Sequence, residues 1–226
     1  MDNASPLQNL PTGLSVAGQG DIFAGLLNSI AVTGRSAPQG DVEGAMAQAC
    51  RVLAGTRSSG NAIYIVGNGG SASIASHIAN DFVNGAQLRA ITLHDSSVLT
   101  CMANDYGYEN GYARQVKVMG RPGDVLLAIS SSGNSKNIHN SVYAARDAGI
   151  AVFTLSGFSD DNPLRGMGDL NIWVQSCDYG MVEIAHLFIL HNWADRLRIQ
   201  RQAEMRGDAM PVQAQVATPK VAEMSP

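Results

Sequence analysis

Two short stretches carry most of the chemistry in this chain. Gly67-Asn68-Gly69-Gly70-Ser71 follows the apolar run Ile63 to Val66 and opens a segment with helical spacing. A strand, a tight turn and a helix in that order leave the first N–H groups of the helix pointing back into the turn. Unpaired donors and the positive end of a helix dipole then suit an anion, most often phosphate. Ser130-Ser131-Ser132-Gly133-Asn134-Ser135 repeats the device after the run Val125 to Ile129, with four hydroxyls in six residues. Hydroxyls are neutral donors, and here they stand at a strand's carboxyl end, where open α/β sheets bind ligands. Glycine in one such turn can answer to positive φ alone; the second, hydroxyl-rich turn shifts the balance toward an anion site. Neither turn holds Lys or Arg, so the expected guest is a single phosphate monoester. The first turn lacks the GK[ST] of a Walker loop and does not match GxGxxG, which argues against nucleoside triphosphates and dinucleotides.

A second group of residues could hold a metal or move protons. His77 and Asp81 lie four apart, further along the helix that Ser71 opens, and share one face. A solvated polar stripe is the plain alternative for that pair alone. Glu183, His186 and His191 lie amid Ile184, Leu187, Phe188, Ile189 and Leu190. Some of these polar groups must therefore be partly buried, which is costly unless they are paired or bound to metal. On a straight helix Glu183 and His191 are separated by roughly 12 Å of rise and about 80° of rotation. They reach one ion only by leaning toward each other. His186 reads as an ordinary core histidine, and no base stands at a telling distance from Cys101 or Cys177.

These side chains need a scaffold, and the pattern supplies one. Apolar runs at Ile63–Val66, Ala90–His94, Val125–Ile129, Ala151–Leu155 and Ile172–Val174 alternate with helical segments. That alternation predicts an α/β three-layer sandwich around a central parallel sheet, with a flavodoxin-like 2-1-3-4-5 strand order. Two helices precede the sheet, the second capped by Asp41, and the last long helix runs from near Tyr179 to about Gln200. Asn104 to Tyr108 is expected to be a loop. Residues 1–20 are rich in Gly, Pro, Ser and Asn and are expected to be flexible. Residues 21–202 form one domain, and 203–226 read as a disordered tail.

With 226 residues, 45% of them hydrophobic, the chain can bury one good core. A net charge of -4 gives no diffuse basic field and weighs against nucleic acid as the main ligand. Three scattered cysteines without a CxxC pair fit reduced thiols, and no long apolar run suggests a signal or a membrane span. A cytoplasmic location is the expectation.

The stretches VGNGGSASIASHIANDF, Ala103 to Tyr108, GDVLLAISSSGNSKNI and EIAHLFILH resemble a SIS (sugar isomerase) domain, and within that group the phosphoheptose isomerases. The resemblance covers roughly Ala62 to Arg198. It implies an aldose-ketose isomerase acting on a phosphorylated sugar of about seven carbons, through an enediolate. It implies substrate contacts from Asn68, Ser71, Asn104, Asp105, Ser130, Ser131, Ser132, Ser135 and Glu183. It further implies Zn²⁺ held by His77, Asp81, Glu183 and His191, acid/base roles for Asp81 and His191, and a homotetramer with sites near subunit boundaries. Related SIS proteins also include noncatalytic sugar-phosphate sensors and scaffolds, which is the alternative reading. Three departures stand out. Asp81 and Glu183 occupy positions where that family has Glu and Gln, and the segment from Asp81 to Ala90 is short, with Gly85 near the place of an expected arginine.

Overall fold

Residue alternation along the strands decides how the core divides. The structure, a computed structural model, describes residues 14–34 and 41–207. The elements in chain order are α1 (Val16–Asn28), β1 (Ala31–Thr33), α2 (Val42–Ser59), β2 (Ala62–Val66), α3 (Gly70–Asn84), β3 (Arg89–Thr92) and α4 (Ser96–Tyr106). A 3₁₀ turn (Tyr108–Asn110), α5 (Gly111–Met119), β4 (Val125–Ser130), α6 (Lys136–Asp147) and β5 (Ala151–Ser156) follow. A second 3₁₀ turn (Pro163–Gly166), β6 (Leu170–Trp173) and α7 (Tyr179–Arg206) complete the chain. Successive strand residues point to opposite faces. Ile63, Ile65, Leu127, Ile129 and Leu155 therefore pack with α2, α3 and α7, while Tyr64, Val66, Leu126, Ala128 and Val152 pack with α5 and α6. The result is a sheet covered on both faces, as its continuous apolar strands require.

The sheet order is β1-β6-β5-β4-β2-β3. Its five parallel strands, counted along the chain, run 2-1-3-4-5, the expected arrangement. β1 adds an antiparallel edge, pairing Val32 with Ile172. It is only three residues long, and no apolar run in the sequence announces it.

Several boundaries differ from expectation for local reasons. α1 begins at Val16, where the Ser15 side chain accepts from Gly18 N at 3.0 Å, so the helix reaches into the stretch expected to be flexible. Asp95 caps α4 by accepting from Ser97 N and Val98 N, and that helix continues to Tyr106. Asn104 and Asp105 thus lie in a last helical turn and not in a loop. α7 continues to Arg206 and closes on Gly207 at φ 74°. The expected flexible start up to residue 13 and the tail from residue 208 lie outside the described residues, as does most of the loop before Asp41. No described helix is long and apolar enough to cross a membrane.

Candidate functional site

The carboxyl ends of β2 and β4 carry the two turns side by side, because those strands are direct neighbours. Gly69 precedes α3 at φ 54°, a conformation that suits glycine, and no side chain caps the helix there. α6 likewise begins after Ser135 without a side-chain cap. Two uncapped helix starts therefore face one cavity of about 240 Å³. It is lined by Asn68, Gly69, Gly70 and Ser71 from the first turn and by Ser130, Ser131, Ser132 and Ser135 from the second. Ser130 and Ser135 approach each other at 3.4 Å between hydroxyl oxygens. The Ser131 hydroxyl is buried and finds no partner among the described residues, an orphan polar group on a residue that lines the cavity.

A second constellation sits further along α3, where α7 packs against it. His77 Nε2 lies 3.5 Å from Asp81 Oδ2, and His191 Nδ1 lies 3.3 Å from the same oxygen. The two imidazoles meet at 3.1 Å between Nε2 atoms. One ligand atom from each of the three residues falls within 4.8 Å of the others. Two imidazoles and a carboxylate form a donor set suited to Zn²⁺, and three protein ligands leave a position for substrate or water. All three side chains are partly open to solvent.

Glu183, the fourth member of the expected metal set, lies elsewhere. Its carboxylate lines the serine cavity, pressed so closely on Gly70 that a Cβ there would collide with both carboxylate oxygens. The rise of α7 between residues 183 and 191 explains the separation: one residue reaches the start of α3 and the other its middle. Asn104 and Asp105 bond to each other at 2.9 Å on the exposed end of α4 and do not line the cavity. Near Gly85, where no arginine stands, the aliphatic stem of Arg198 from α7 lies across the helix end.

His186 is fully buried, with Nε2 3.1 Å from the Ser156 carbonyl oxygen. Burial outweighs that bond and pushes the imidazole down to about 4. It is a neutral core group, three residues from the cavity and five from the imidazole pair. One residue without a sequence signal is Tyr179, the first of α7, which lines the cavity and packs edge-on against Phe158 at 4.7 Å between centroids.

The sequence pattern of the SIS domain matches residues 37–157, more than half of the chain. Phosphoheptose isomerase from Campylobacter concisus is 37% identical over 154 residues, covering 66% of this chain and 81% of that protein. This chain belongs to the SIS-domain phosphoheptose isomerase family. Solved structures agree with the assignment. Phosphoheptose isomerase from Neisseria gonorrhoeae superposes with a TM-score of 0.65 at 33% identity, over 69% of this chain and 86% of that one. The enzyme from Francisella tularensis gives 0.66 at 30% identity, over 71% and 88%. In this family member the hydroxyl-lined cavity lies at the starts of α3 and α7, and the His77–Asp81–His191 cluster lies against the middle of the same helix pair.

Proposed function

We propose that this sugar-phosphate isomerase interconverts sedoheptulose 7-phosphate and a heptose 7-phosphate. The observation that carries the reading is the placement of the orphan Ser131 hydroxyl and the uncapped start of α3 at one end, with the His77–Asp81–His191 cluster at the other. From Ser71 to His77 the helix rises about 9 Å. An open seven-carbon chain spans eight bonds from phosphorus to C1, or roughly 9–10 Å at about 1.2 Å per bond. A sugar gripped by its phosphate therefore brings C1 and C2 to the cluster.

The two turns bind the phosphate and fix its orientation. The base takes a proton from C1 of the open-chain ketose, the electron pair forms the C1–C2 double bond, and O2 gains a proton. Return of a proton to C2 with loss of the O1 proton gives the aldose. We assign these transfers to Asp81 and His191, which touch at 3.3 Å and offer a carboxylate and an imidazole for work at neighbouring atoms. His77, Asp81 and His191 would hold Zn²⁺, which when bound supplies Lewis-acid polarisation of the sugar oxygens. Exposed apolar side chains on α1 and α7, among them Ile22, Ile184 and Phe188, support assembly of several copies. We extend to this chain the homotetramer that the resemblance implies and the cytoplasmic location expected from its unpatterned cysteines.

The test incubates zinc-loaded protein with a panel of ketose phosphates and follows aldose formation by NMR, alongside metal analysis and light scattering. Turnover of the seven-carbon ketose supports the reading. Protein that takes up no zinc and, with zinc supplied, turns over none of the sugars would sink it in favour of a noncatalytic sugar-phosphate sensor.

A further inference from the structure

Asn68 lines the serine cavity, and its amide is held from two distant parts of the chain. Asn68 Nδ2 donates to Asn137 Oδ1 at 2.9 Å, and Asn137 Nδ2 donates back to Asn68 Oδ1 at 2.8 Å. Two primary amides so paired close a planar ring. Tyr108 adds its hydroxyl, donating to Asn68 Oδ1 at 2.8 Å. Asn137 is itself almost fully buried, and its Oδ1 also accepts from Ile138 N at 3.0 Å.

The Asn68 amide oxygen has two lone pairs, and both are taken, one by Tyr108 and one by Asn137. Its nitrogen has two hydrogens, and Asn137 takes one. One hydrogen is left over on a residue of the cavity wall. Turning the amide by 180° would replace that donor with an acceptor and set like atoms of the two amides against each other, breaking both bonds to the buried Asn137, whose own sense is fixed by the Ile138 N–H on its Oδ1. The backbone of the same turn is pinned as well: Tyr112, buried in α5, donates its hydroxyl to the Gly67 carbonyl oxygen at 2.7 Å. Burial first, and the nearby Tyr108 second, push that phenol up to about 12, so it stays a donor throughout the working range.

We propose that Asn137 and Tyr108 are positioning residues that orient the Asn68 amide donor-inward and tie the two anion-binding turns together. Asn137 is the second residue of α6, directly after the second turn; Asn68 lies in the first; Tyr108 follows the end of α4. The two turns of the wall and the segment after α4 are thereby tied together before any anion arrives. A site that must bind a dianion without Lys or Arg depends on every donor being in place, and an amide free to flip would present oxygen to the guest for part of the time. The proposal rests on the phosphate reading of the cavity.

The experiment uses the full chain, with Tyr108→Phe as the minimal variant and Asn137→Ala as the larger one. Inorganic phosphate is titrated by calorimetry, and the Asn68 side-chain NH₂ signals are followed by ¹⁵N NMR after assignment by substitution. We expect Kd for phosphate to rise about fivefold in Tyr108→Phe and more than tenfold in Asn137→Ala. The two separate Asn68 hydrogens should broaden or merge in both, with the melting temperature of Tyr108→Phe within a few degrees of the parent. Where Asn137→Ala fails to fold, Tyr108→Phe decides alone. Unchanged Asn68 signals and unchanged phosphate affinity would overturn the proposal. A parent chain that binds no phosphate would instead overturn the cavity reading, and the Asn68 signals would still decide whether the amide is locked.

Discussion

Glu183 places its carboxylate against Gly70, at the start of α3 where the serine-lined cavity opens. It forms no ion pair among the described residues. A negative side chain within the same cavity as a phosphate dianion opposes binding by up to about 4 kcal/mol per unit charge at 4 Å and an effective dielectric of 20. Removing that charge at constant shape should therefore help the anion. Glu183→Gln is expected to tighten inorganic phosphate binding about tenfold, with the gap to the parent narrowing as salt rises. Calorimetry at two ionic strengths checks this. Weaker phosphate binding in the variant, or a loss of zinc, would return Glu183 to the metal.

His191 tests the opposite end of the site. Its side chain is half exposed and, among the described residues, makes polar contacts with His77 and Asp81 alone, so His191→Ala should leave the fold nearly unaffected. Turnover should fall by about 10²–10⁴. Phosphate affinity should stay within about twofold, because the cavity is a separate set of residues. A kinetic assay beside a phosphate titration and a melting curve separates the three effects; an active variant would remove His191 from the proton transfer.

Much of this arrangement was legible from local pattern, and what was not depended on distant contacts. Ile63–Val66 and Val125–Ile129 are continuous apolar runs, so two buried parallel strands with glycine and serine turns at their ends could be read directly. β1 could not, since Ala31-Val32-Thr33 becomes a strand only because β6 offers an edge to pair with. The end of α4 was misread because Asn104-Asp105 looks like turn chemistry, while the Asp95 cap at the other end lets the helix run on. His77, Asp81 and His191 were visible by type, and helix geometry allowed Glu183 and His191 to reach one ion only by leaning toward each other. Which of those two would join the imidazole of His77 was settled by how α7 lies on α3. No spacing rule gives that crossing. Asn137 and Tyr108 are 69 and 40 residues from Asn68, and nothing in their own neighbourhoods points to it.

The buried His186 predicts an acid limit to stability. Its folded value is depressed to about 4 by burial, below the ordinary 6.5, so the native state holds it neutral while the unfolded chain takes up a proton. Stability from this group is complete above pH 6.5 and falls progressively as pH drops toward 4. The loss is on the order of 3 kcal/mol at 1.36 kcal/mol per unit. His94, also lowered by burial, adds in the same direction. Urea unfolding at pH 7, 5.5 and 4.5 should show the decline, and His186→Gln, which keeps an N–H for the Ser156 carbonyl, should flatten it. Equal slopes in parent and variant would locate the acid sensitivity elsewhere.

Ser131 offers the sharpest separation of binding from folding. Its hydroxyl is buried and unpartnered without ligand, so the folded protein already bears the desolvation of that group and gains no bond from it. Ser131→Ala removes the burden and a donor together. The variant should be as stable as the parent or more so, by up to about 1 kcal/mol, while phosphate binds roughly tenfold more weakly. Ser132→Ala makes a useful contrast, since the Ser132 hydroxyl already accepts from Asn134 N at 3.3 Å and its loss should loosen the turn as well. Denaturant unfolding and phosphate titration of both variants check the pattern. A Ser131→Ala protein that is less stable but binds phosphate normally would show that this hydroxyl serves the fold and not the anion.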